Sequence, residues 1–177
     1  MLKTFNYNTL SKDEISKLVI RNADSSNEIG SAVEAIIETV KNNGDKALYS
    51  YSEQFDKVKL SRLYIEFDEI EQLAAEVDEV EQKALERAFY NIHKFHFNQL
   101  KAEEKVETTS GVNCWREIRA IEKVGLYIPG GSAVLPSPFL MLGIPAKIAG
   151  YKEIVVCSPP QKNGFVNKYL AYCALLL

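Results

Sequence analysis

Between Val124 and Gly150 the sequence leaves few folds open. A short apolar run, Val124 to Ile128, has the pattern of a buried strand. It meets Pro129, Gly130, Gly131 and Ser132, where two adjacent glycines let the backbone bend at a place a Cβ would clash. Ser137 before Pro138 suits an N-cap followed by proline in the first helical turn. The apolar helix beyond is expected to kink at Pro145 and to end at Gly150. Strand, glycine turn and helix N-terminus, in that order, present backbone N–H groups to a phosphate. A plain strand–turn–helix connector of an α/β fold fits the same spacing equally well.

Two known phosphate-binding patterns are tested by position. The glycines at 125, 130 and 131 do not make the dinucleotide fingerprint G-x-G-x-x-G. Gly125, Gly130 and Ser132 match a P-loop in spacing, but Gly131 stands where the phosphate-binding lysine must be. Nucleoside-triphosphate chemistry is therefore not expected.

Longer motifs carry more. Gly125-Leu-Tyr-Ile-Pro-Gly-Gly-Ser-Ala133, Leu140-Met-Leu-Gly-Ile-Pro-Ala-Lys-Ile-Ala-Gly150 and Lys152-Glu-Ile-Val-Val-Cys-Ser-Pro-Pro160 resemble the histidinol dehydrogenases. Asn43-Gly-Asp-Lys-Ala-Leu48 and Asn91-Ile-His-Lys-Phe-His96 resemble the N-terminal region of the same family. The resemblance implies histidine biosynthesis: two successive NAD-dependent oxidations of histidinol, with a zinc ion holding the substrate, in a homodimer. It implies that Tyr127, Pro129, Gly130 and Gly131 line the cofactor. It also implies that this chain is the N-terminal part of a longer enzyme, with the metal ligands and the proton-transferring His and Glu beyond Leu177. One departure is Ala120, where the family commonly has proline.

Length and composition fit one ordinary domain, or one domain and part of another, at 177 residues. Hydrophobic content of 46% and charged content of 25% are those of a globular chain with enough apolar material for a core. A net charge of −3 gives no reason to expect a nucleic acid or an acidic membrane as partner. Neither a signal-peptide order nor a membrane-length apolar run is present. Cys114, Cys157 and Cys173 are widely spaced and odd in number, which reads as reduced core thiols of a cytoplasmic protein.

Along the chain, residues 1–10 suit an extended arm, and Ser11 with Glu14 is a capping-box pattern opening a helix to about Arg21. A second helix is expected from about Asn27 to Asn43, closed by Gly44, and a third after Asp45. Leu63, Ile65 and Phe67 alternate with polar neighbours as in a half-buried strand. Asp68 with Glu71 and Asp78 with Glu81 predict caps of two further helices. The second of these reaches about Leu100, its apolar face collecting Ala84, Leu85, Ala88, Phe89, Ile92 and Phe95. Val106 to Ile121 reads as a hairpin turning at Ser110-Gly111, with Trp115 on the return strand. Glu153 to Cys157 is a buried parallel strand by pattern. In the last helix Val166, Tyr169, Leu170, Cys173, Ala174 and Leu177 share one face.

The expected fold is α/β: a mostly helical region over 1–105, then over 106–177 a β-hairpin and an incomplete Rossmann-like β-α-β-α unit. Candidates for chemistry are few. His93 and His96 have a metal-compatible spacing, but no further ligand accompanies them, so no metal site is expected on this chain. Acidic residues from Glu66 to Glu81 are explained by helix starts and a solvated face. Cys157 occupies a strand end where α/β ligands bind, yet reads as an inert buried thiol. No catalytic residue is assigned. The remaining expectation is Tyr127, with a ring for stacking and a hydroxyl for one hydrogen bond. The other readings of the whole are a non-catalytic fragment that binds a partner through the uncovered face of its last helix, and a stand-alone nucleotide-binding module.

Overall fold

A computed structural model describes residues 4–19, 26–100, 104–130 and 135–177, with the side chains of 26–28 left aside. Contacts divide the chain into two units, 1–47 and 48–177, so the change in character at 105/106 falls inside the second.

In the first unit Tyr7–Thr9 is a 3₁₀ turn rather than extended arm, because the Asn6 side chain accepts the Asn8 N–H and folds the backbone over. Helix α1 (Lys12–Val19) begins at the predicted capping box. Ser11 N–H donates to Glu14 Oε2 at 2.9 Å, and Glu14 N–H donates to Ser11 Oγ at 3.3 Å. Its expected end near Arg21 lies outside the described residues. Helix α2 (Ser26–Asn43) stops at Gly44, whose φ of +56° is the left-handed conformation that glycine adopts without strain. Helix α3 (Asp45–Tyr51) crosses the boundary between the units.

The second unit continues α3 into a π-helical turn, Ser52–Asp56. The strand expected at Leu63–Phe67 is absent: no ladder forms there, and Phe67 opens helix α4 (Phe67–Ala74) instead. Alternation alone does not make a strand when no neighbour supplies the hydrogen bonds. The cap of α4 accordingly sits two residues before the predicted pair, where Glu69 Oε2 accepts the Glu66 N–H at 2.9 Å. Helix α5 (Glu79–Phe97) starts as predicted: Asp78 Oδ1 accepts the N–H groups of Val80 and Glu81.

Strands β1 (Val106–Thr109) and β2 (Val112–Cys114) form an antiparallel hairpin through Ser110-Gly111, Gly111 standing at φ +80°. Trp115 lies just past the return strand, not on it, with Lys105 Nζ 4.5 Å over its ring. Strand β3 (Lys123–Tyr127), helix α6 (Pro136–Ala149) and strand β4 (Glu153–Cys157) make a β-α-β unit in which β3 and β4 are parallel. Tyr127 pairs in register with Cys157, and Ile128 N–H extends the ladder to Cys157 O at 2.9 Å. Helix α7 (Lys168–Leu176) follows, capped by Asn167, whose side chain accepts the Tyr169 N–H. This is the α/β fold expected.

The core gathers Ile128, Phe139, Leu140, Ile144, Leu170 and Cys173. Leu85, Ala88, Phe89 and Ile92 of α5 pack against it at the i, i+3, i+4, i+7 spacing of one helical stripe. Ala84 and Phe95, expected on that stripe, are exposed, since the stripe continues through position 96 and not 95. Each fully buried Leu or Ile in this cluster contributes about 1.5–3 kcal/mol. Both strands turn only one face to the helices. Leu126 is buried while Tyr127 is exposed, and Glu153, Val155 and Cys157 are exposed along β4. The fully buried strands read from the apolar runs are therefore half-buried.

Candidate functional site

The carboxyl ends of β3 and β4 meet in one place. Ile128, wholly buried, anchors the end of β3 beneath the sheet, so the residue before it projects to the opposite side. That residue is Tyr127, 63% exposed. Its register partner Cys157 shares that face and is exposed as well, against the expectation of a buried thiol. The apolar run hides this, because a strand covered on one side reads much like one covered on both.

Pro129 and Gly130 continue from the strand, and Gly131 lies outside the described residues, as does Ser132. Gly130 faces Pro159, which follows β4. A Cβ on Gly130 would stand 3.0 Å from Pro159 Cγ and 3.1 Å from its Cβ, a contact so tight that the proline would have to give by a few tenths of an ångström. The glycine is needed here for close approach, not for an unusual φ. It brings the two strand ends together with the Tyr127 ring beside them.

The helix beyond starts earlier than Ser137. Leu135 is the N-cap and Pro136 the first helical residue, with no side chain capping the end. Pro138 also falls in the first turn, so two of the leading positions have no N–H to offer. The α6 N-terminus thus presents fewer anion-binding donors than the sequence order suggests. Helix α6 runs through Pro145 without ending there and closes at Gly150, at φ +91°, as predicted.

His93 and His96 are engaged elsewhere. The His93 ring stacks between Phe89 and Phe97, with centroids 5.9 and 5.6 Å away, and His96 Nδ1 is 2.9 Å from Gln99 Oε1. Among the described residues no three His, Cys, Asp or Glu side chains gather as a metal site would require.

The polar groups tying α7 to α5 and to Glu76 just before it escaped the sequence reading, being 86 to 92 residues apart. Lys168 Nζ donates to Glu76 O at 3.1 Å and lies 3.5 Å from Glu81 Oε2; Tyr169 OH donates to Glu81, and Tyr172 OH to Glu86 at 2.9 Å. Desolvation acts to lower the pKa of the Lys168 ammonium, but the Glu81 carboxylate prevails and holds it above its ordinary value. The Glu81 hydrogen bond raises Tyr169, and desolvation raises Tyr172. Burial pushes the Cys173 thiol up to about 12, so it stays protonated and unreactive. No described helix is long and apolar enough to cross a membrane.

Residues 19–177 match the family model described as histidinol dehydrogenase. The chain is 43% identical over 176 residues to a histidinol dehydrogenase of Bacteroides thetaiotaomicron, covering 99% of this chain and 41% of that protein. It is 41% identical over 173 residues to the chloroplastic histidinol dehydrogenase of Arabidopsis thaliana, covering 98% and 37%. A crystal structure of histidinol dehydrogenase from Elizabethkingia anophelis superposes with a TM-score of 0.84 at 42% identity, over 94% of this chain and 39% of that one. The chain spans about two fifths of the length of these relatives and corresponds to their N-terminal part.

Proposed function

Because the chain belongs to the histidinol dehydrogenase family, we propose that it supplies one wall of the NAD site in the two-step oxidation of histidinol to histidine. The observation that carries this reading is the Tyr127 ring, exposed at the carboxyl end of a parallel strand, where α/β folds bind their ligands. Tyr127, Pro129, Gly130 and Gly131 are the assigned cofactor residues. The residues fit the group: a flat ring for stacking and a phenol for one hydrogen bond stand beside a turn with no bulky side chain.

When bound, NAD supplies the hydride acceptor. The chain's own part is positional. Tyr127 gives the dinucleotide a face to lie on, and Gly130 keeps β3 and β4 close enough for that face to be rigid. Ser137 N–H, between the two prolines of the α6 first turn, is the helical donor left for a phosphate. Zinc has no fitting donor set among the described residues. Its ligands, and the groups that move protons, are assigned to the part of the family's length that this chain does not span. A homodimer belongs to the same reading.

Tyr127→Ala, made in a complete enzyme carrying this segment, tests the assignment. Loss of a stacking contact worth about 0.5–1.5 kcal/mol weakens NAD binding by up to roughly tenfold, with the melting temperature little changed. Unchanged NAD binding, or an unfolded variant, would make Tyr127 a packing residue only.

A further inference from the structure

No further inference is drawn: the strongest candidate, the exposed Cys157 thiol beside Tyr127 on the uncovered face of the β3–β4 sheet, belongs to the site already described and has no second feature there that points to a ligand of its own.

Discussion

A methyl group at position 130 would press on the ring of Pro159, whose closure onto the backbone leaves it only a change of pucker with which to give way. Gly130→Ala is therefore expected to destabilise the second unit by about 1–3 kcal/mol, the usual cost of overpacking, read as a lower midpoint in urea. Gly143 offers a control. A Cβ there would meet a methyl of Leu177 at 2.3 Å, the far end of a flexible side chain that can swing aside, so Gly143→Ala should cost less. The thiols separate in the same local way. Cys114 and Cys157 are exposed, whereas Cys173 is buried with its pKa pushed up to about 12. A thiol reagent at neutral pH should modify two of the three cysteines in the native chain and the third only on unfolding; fast labelling of all three would contradict the packing around α7.

Helix α5 depends on its start. Asp78 caps it, and hydrogen bonds from the Glu81 backbone chiefly hold the Asp78 carboxyl below its ordinary value of 3.8, with Lys168 contributing. A depressed carboxylate pKa gives stability that is complete above the unfolded-state value and lost as pH falls through the lower folded value. The chain should thus lose stability on acidification below about pH 4, and Asp78→Asn, which can still cap but does not titrate, should lose less. Thermal melts of both proteins from pH 7 to 3 measure the difference; parallel curves would remove Asp78 from the account. Asp78→Ala should lower stability at neutral pH through loss of the cap. The ties from Glu81 and Glu86 to α7 make α5 and α7 respond together, so the same substitution should speed amide exchange near Tyr169.

Taken whole, the chain matches only part of the length of its relatives. It spans 37–41% of its relatives' length, and no three potential metal ligands converge among its described residues. The 177-residue chain is expected not to oxidise histidinol alone, since losing general acid–base assistance already costs ~10²–10⁴-fold. An assay following NADH absorbance with zinc and saturating histidinol, run beside a complete enzyme, decides this. Turnover within about tenfold of that enzyme would mean that proton-transferring groups lie within this chain after all.

The sequence by itself determined the elements whose causes are local. Ser11 with Glu14, Asp78 with Glu81, Gly44, Gly111 and Gly150 act within a few residues of themselves, through caps and left-handed turns, and stand where their spacing put them. The order of β3, α6 and β4 was legible for the same reason, and the long motifs around Tyr127 carried the family. Tertiary structure alone decided what depends on a neighbour. Leu63 to Phe67 has the alternation of a strand but no ladder partner, and Phe67 went to a helix. Tyr127 and Cys157 lie in runs apolar enough to be buried, yet face away from the core, because only one side of their sheet is covered by helices. A strand's pattern records which residues can be buried; whether they are depends on what packs over each face, and on which edges find a partner.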